Sequence, residues 1–374
     1  TNEAERQVRQ TIRRLARAQP GRRIIVTGCG ADISHAAYAA MPEVAAVVGN
    51  ADKRDPAAYR VGRNAPFRSV FADDGIAFAP VVSGRSHARA FIAVQTGCDH
   101  RCTFCIIPFG RGDSRSAPLA AVVEATARAV DGGHGEVVLT GVDVTSYGHD
   151  LPGTPTLGHL VDAILDGVPD LPRLRLSSLD SVEIDDRLFD RITGDPRVMP
   201  HVHLSLQAGD DMILKRMKRR HSRADAVALV HRLKSARPDI AIGADLIAGF
   251  PTEDDAAAAN SLTLIDDCDI VHGHIFPFSP RRGTPAARMP QVDRAIAKAR
   301  AAALRDASRA RRDRWLAAQV GTDITMLVER DGRSGHAPNF ASLMLDADAP
   351  PGEIIRVRAL SVGTGVLAVQ RVAP

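Results

Sequence analysis

Between residues 90 and 276, six apolar runs of strand length alternate with stretches of helical spacing. The runs are 90–95, 136–140, 173–177, 202–206, 240–247 and 270–276. The helical stretches between them are 118–131, 156–167, 184–193, 222–237 and 253–266. A helix between two strands carries the chain back along the sheet, so consecutive strands lie parallel and cannot form hairpins. The alternation therefore predicts an α/β fold, a partial (β/α)6 barrel over 90–318. In sheets of this kind ligands collect at the C-terminal ends of the strands.

The flanks read differently. Residues 2–18 place Val8, Ile12 and Leu15 at helical spacing, and Gln19-Pro20-Gly21 stops the helix. A strand at 23–27, a helix at 32–41 and a strand at 46–48 suggest an incomplete doubly wound α/β domain over 1–60. From 51 the chain turns irregular, with Pro56, Pro66 and Pro80, and 61–89 reads as a linker. At 289–318 a long helix places Arg294, Lys298, Arg305, Arg309 and Arg312 on one stripe. Ile296, Ala303, Leu304, Ala307 and Trp315 lie roughly opposite, as a docking face. Beta-like runs at 324–329, 354–360 and 366–370 predict a small all-β domain over 319–374.

Composition narrows the class. A net charge of +4 and a pI of about 8.9 are compatible with an RNA partner. Aromatic residues at 4% argue against base stacking as the main grip. No apolar run reaches membrane-spanning length, so no membrane partner is expected. Five cysteines, three of them clustered, do not make a secreted disulfide framework. A reducing, cytoplasmic setting follows.

The cluster is Cys98, Cys102 and Cys105, spaced C-x3-C-x2-C directly after the first barrel strand. Three thiolates this close can converge on one iron–sulfur cluster and leave one iron for an outside ligand. A Cys3His zinc knuckle using His100 is the alternative. Four later strand ends carry small, polar or glycine residues: Thr140 to Tyr147, Ser177 to Asp180, Ser205 to Gly209, and Gly249 to Glu253. Each alone is an ordinary turn, and Thr252 can simply cap the helix starting near Glu253. Four in succession suggest one ligand cradle. Residues 213–223 hold six Lys or Arg in eleven, suited to phosphate or carboxylate as well as to a solvated surface. Cys29 stands between glycines at a strand end. Cys268 reads as structural.

Longer motifs carry a resemblance. They are CDHRCTFCIIPFGRGDSRS (98–116), VVLTGVDVTSYG (137–148), LRLSSLD (174–180), MPHVHLSLQAGDD (199–211), ILKRMKRRHSR (213–223), GADLIAGFPTE (243–253) and FPFSPRRGTPAARMPQV (276–292). With these the chain resembles the radical SAM methylthiotransferases, most of all the branch acting on threonylcarbamoyladenosine in tRNA. The resemblance spans about 2–316 and implies a C-terminal domain of the TRAM type.

It implies a [4Fe–4S] cluster on Cys98, Cys102 and Cys105 that reductively cleaves S-adenosylmethionine (SAM). The resulting radical activates the adenine C2–H bond, and a second SAM supplies the methyl group. Phe104 is implied beside the SAM adenine, Asp143 at its amino group, and Gly141, Ser178 and Gln207 as further contacts. Lys215, Arg216, Arg219 and Arg220 are then candidates for the substrate carboxylate; the run at 215–223, and the exposed stripe of the long helix with Arg305 and Arg309, suit an RNA backbone. An auxiliary cluster normally has three cysteines, of which only Cys29 is present. The chain, beginning at Thr1, is thus expected to lack a first strand and two ligands, and to hold one complete cluster. The C-terminal domain carries five Arg, no Lys and six acids over 320–374, so the RNA grip is expected elsewhere. A monomer reduced by a cellular electron donor is expected. The alternatives are a branch acting on isopentenyladenosine in tRNA or on a ribosomal-protein aspartate, and a non-catalytic metal-containing RNA-binding protein.

Overall fold

The computed structural model describes residues 2–60, 67–71, 78–82 and 88–372. Most of the expected linker (61–66, 72–77, 83–87) lies outside them. The chain divides into two compact units. The first joins the N-terminal part to 96–114, which holds the three cysteines, and to 279–289. The second is the rest of the chain.

In the second unit six parallel strands appear where the apolar runs predict them. They are β1 (Arg89–Ala93), β2 (Glu136–Thr140), β3 (Leu174–Leu176), β4 (His201–Gln207), β5 (Ala241–Ala248) and β6 (Ile270–Pro277). β1, β2 and β3 pair in order, as do β4, β5 and β6. The halves are stitched by a parallel bridge between Leu179 and Leu204, where Leu179 N–H donates to His203 O at 2.8 Å. Val81–Val82 adds an antiparallel edge to β1, a pairing absent from the sequence reading.

Helices α1 (Leu119–Asp131), α2 (Leu157–Gly167), α3 (Asp186–Gly194), α4 (Arg223–Ala236) and α5 (Asp255–Asp267) alternate with the strands. Alternate strand residues such as Val202, Leu204, Leu206, Ile242, Ala244 and Leu246 pack with these helices in one core. Because side chains alternate along a strand, His201, His203, Gly243, Asp245, His272 and His274 lie on the opposite, lumenal face. The lumen is therefore polar.

Two sequence expectations need correction here. Helix α5 starts at Asp255, and Asp254 caps it by accepting from Ala257 N–H at 2.8 Å. Thr252 is not the cap; it sits before the helix with φ of +70°. The long helix α6 (Arg294–Ala317) docks by Ala297, Ala301, Leu304, Ser308 and Leu316. Ile296 and Ala303 are exposed, not docked. Small residues let the helix backbone approach β6: Ser308 Oγ accepts from Gly273 N–H at 3.1 Å. A β-carbon on Gly273 would sit 2.6 Å from that oxygen. Arg294, Lys298, Arg305 and Arg309 stay exposed, while Arg312 is half-buried.

The last segment forms a closed five-stranded barrel: β7 (Asp323–Val328), β8 (Ser334–His336), β9 (Ser342–Leu345), β10 (Ile354–Val362) and β11 (Leu367–Arg371), in the order β7-β8-β9-β11-β10. Met326, Val328, Leu343, Val357 and Val369 fill it. Its loop 336–341 meets the N-terminal ends of the lumenal strands. Arg175, 3% exposed, pairs with Glu136, 1% exposed, at 2.7 Å and donates to Pro338 O at 3.0 Å. Arg173 donates to Thr325 Oγ1 at 2.9 Å. Phe340 lies under the Arg175 guanidinium at 4.8 Å and near the His201 ring at 5.1 Å. Burial pushes His272 down to about 3 and His201 well below its ordinary value, so both stay neutral.

In the first unit, helix Asn2–Ala18 and parallel strands Ile24–Thr27 and Val44–Val48 match expectation. The single helix expected at 32–41 is instead two short ones, Cys29–Ile33 and His35–Ala39, separated at Ser34.

Candidate active site

The cysteine loop is shaped by its backbone. Gly97 has φ of +76°, and a β-carbon there would lie 1.8 Å from Asp113 O. Only glycine fits that position. Cys98 N–H then donates to Gly112 O at 3.1 Å, and Ser114 N–H to the Asp99 carboxylate at 2.9 Å, which ties the two ends of the loop together. Cys105 N–H donates to Cys102 O at 3.0 Å, forming a tight turn around Thr103 and Phe104. All three cysteines are half-buried. Ile107 N–H points at Cys105 Sγ from 3.4 Å, a contact that stabilises a thiolate. Three soft sulfur donors with a backbone donor beside them fit an iron–sulfur cluster.

Cys29 belongs to the same unit. The helix following the cysteine loop, Ile107–Arg111, packs on the helix that Cys29 begins. A β-carbon on Gly110 would come within 3.0 Å of Cys29 Cβ. Arg111 Nε donates to Cys29 Sγ at 2.9 Å, which sets a cation on the sulfur. Asn50 bridges Asp32 at 2.8 Å and Gly110 O at 2.6 Å. Burial raises the Asp32 carboxyl above its usual range despite the Asn50 bonds. Burial, then Arg111, lowers the Lys53 ammonium. Sequence reading missed Asn50, Gly110 and Arg111.

In the second unit the ends of β2, β3 and β4 are knitted by one polar network. Gln95 is 2% exposed, and its Oε1 accepts from Val142 N–H at 3.0 Å and Asp143 N–H at 2.9 Å. Gly141 leaves room for this side chain: a β-carbon would lie 2.9 Å from the Gln95 oxygen and 3.2 Å from Val144 Cα, so Gln95 would have to move. Ser146 Oγ lies 2.9 Å from Asp143 and 3.1 Å from Glu183. Arg220 pairs with Glu183 at 2.8 Å and with Asp180 at 3.2 Å. Burial opposes the Arg220 charge, but Glu183 more than compensates and raises its pKa. Arg219, buried, pairs with Asp180 at 2.9 Å and donates to Ser205 O at 2.8 Å. Arg216 reaches Thr252 at the end of β5. Ser178 and Lys215 are exposed, and Gln207 is half-buried with φ of +69°. The network joins Asp143 to Arg219 and Arg220; Ser178 stands outside it. Gln95 and Glu183 are the residues here that the sequence did not reveal. Cys268 is fully buried, its thiol pushed up to about 12 by burial.

A family model described as "Radical SAM superfamily" matches residues 92–265. The threonylcarbamoyladenosine tRNA methylthiotransferase MtaB of Rickettsia prowazekii (strain Madrid E) is 43% identical over 368 residues, covering 98% of this chain and 87% of the relative. The chain belongs to the radical SAM methylthiotransferase family. A relative of another name, the tRNA-2-methylthio-N(6)-dimethylallyladenosine synthase of Erythrobacter litoralis (strain HTCC2594), is 32% identical over 93% of this chain and 80% of its own length. Among solved structures, the radical S-adenosylmethionine methyltransferase TsrM from Kitasatospora setae matches 53% of this chain and 38% of its own at 19% identity, with a TM-score of 0.42. Within the family the cofactors are a [4Fe–4S] cluster and SAM, and the α/β barrel is the radical SAM domain. No helix among the described residues is long and apolar enough to cross a membrane.

Proposed function

We infer that the chain is a tRNA methylthiotransferase that replaces the hydrogen on C2 of N6-threonylcarbamoyladenosine, next to the anticodon, with a methylthio group. The observation that carries this reading is the 43% identity over 98% of the chain to a relative of that name, together with an intact three-cysteine loop. Cys98, Cys102 and Cys105 hold the cluster. When bound, cluster and SAM supply the one-electron chemistry that activates the C2–H bond, and SAM supplies the methyl group.

The protein's own residues bind and orient. Asp143, its backbone pinned by Gln95, takes the SAM amino group. Phe104 and Gly141 border the cofactor, with Ser178 and Gln207 as further polar contacts. Cys29, with Arg111 beside it, serves as a ligand of the auxiliary cluster. Arg216 and Arg219 brace strand ends, while the more exposed Lys215 and Arg220 meet the substrate's carboxylate or phosphate. Arg305 and Arg309, with Arg294 and Lys298, face the tRNA backbone. We propose the layout 1–60, 61–89, 90–318 and 319–374, with the closing barrel as a TRAM-type domain. The enzyme acts as a cytoplasmic monomer reduced by a cellular electron donor.

Nucleoside mass spectrometry of tRNA from a strain lacking this gene tests the assignment. Loss of methylthio-threonylcarbamoyladenosine, restored by the wild-type gene and not by Cys102→Ala, is expected. Loss of the methylthio-isopentenyl nucleoside instead, or no loss, would overturn it.

A further inference from the structure

Three polar side chains of the lumenal face converge without belonging to the machinery described above. His203 comes from β4, Asp245 from β5 and His274 from β6. Their ligand atoms all lie within 4.8 Å of one another. The register explains the meeting: Gly243 is paired with His203, and Asp245 with His274. Gly243 makes the space, because a β-carbon there would stand 2.4 Å from His203 Nδ1.

The distances are those of a coordination sphere. His203 Nε2 and His274 Nδ1 approach the same Asp245 oxygen, at 3.2 and 3.5 Å. Ligands held about 2.0–2.2 Å from a common ion stand roughly 3.0–3.5 Å apart. Asp245 can also accept from both rings, so a His–Asp–His ion pair is the competing account that metal analysis must separate. His203 Nε2 is buried, and among the described residues it makes no well-aligned hydrogen bond, although the carboxylate is beside it. A buried imidazole nitrogen left this way is costly without another partner.

We propose that His203, Asp245 and His274 bind one divalent transition-metal ion, zinc or ferrous iron, inside the radical SAM barrel and without any cysteine ligand. Two imidazoles and one carboxylate favour these ions over magnesium or calcium. Three protein ligands leave at least one position for water or an anionic oxygen ligand. The entry path runs past His274, which is 65% exposed.

The test uses the full-length, cluster-loaded chain equilibrated with zinc, desalted and analysed for metals. One more zinc per chain is expected in the wild type than in His274→Ala, an exposed substitution that leaves the fold intact. A second arm titrates cobalt(II) into the chain with Cys29, Cys98, Cys102 and Cys105 replaced by Ser. One equivalent is expected, with visible ligand-field bands and no sulfur-to-cobalt charge transfer. Asp245→Asn weakens that binding by about tenfold or more, while circular dichroism stays unchanged. Equal zinc in wild type and His274→Ala, or cobalt bands indifferent to Asp245→Asn, would overturn the site.

Discussion

At the scale of single residues, the ligands were legible in the sequence and their supports were not. Cys98, Cys102 and Cys105 declare themselves by type and spacing. Gln95, Asn50 and Arg111 are ordinary polar residues whose partners lie 18 to 82 positions away, and no local pattern encodes such a pairing. Gly97 shows what the support is worth. Its left-handed backbone alone costs a side chain about 1–2 kcal/mol, and a β-carbon would collide with the Asp113 carbonyl. Gly97→Ala is therefore expected to lose most of the cluster iron while the thermal melt of the barrel barely moves. Normal iron content in that variant would show that the loop tolerates rearrangement.

At the scale of elements, period decided well and packing face decided poorly. All six strands and their helices fall within a few residues of the expected bounds, because apolar alternation and caps are local. The docking face of α6 was misread because a hydrophobic ranking favours Ile296 over Ala297 and Ser308. A helix that must approach a glycine-bearing strand selects small residues instead. The break at Ser34 was equally invisible, since nothing apolar changes there.

Buried arginine is the other blind spot: Arg173 and Arg175 read as strand residues, yet they seat the closing barrel. Arg175→Ala leaves Glu136 charged and unpaired in the interior, a loss of about 3–5 kcal/mol. A lower urea midpoint is expected, largely recovered when Glu136→Gln is added. A single variant as stable as wild type would mean that water replaces the guanidinium.

At the scale of the molecule, the alternation of strand and helix predicted the barrel and the short runs predicted an all-β end. The grouping of 96–114 with the N-terminal part was not legible, because compactness depends on contacts between distant segments. The closure of the last five strands was also beyond reach: two of them, Ser334–His336 and Ser342–Leu345, are too short to show a period.

The seating of loop 336–341 under the lumenal strands has a consequence for biosynthesis. Arg173 finds Thr325 and the His336 carbonyl, Arg175 its acceptors beyond Glu136, and His201 and His272 their Phe340 cover only in a segment that leaves the ribosome near the end of translation. Until then these side chains stay hydrated, and the floor that buries them is missing. This end of the barrel is thus expected to finish folding only after the closing segment has emerged. A chain ending at Ala318 is expected to be cut rapidly within β1–β3 by a protease that spares the full chain. Equal resistance would show that the barrel matures before its floor arrives.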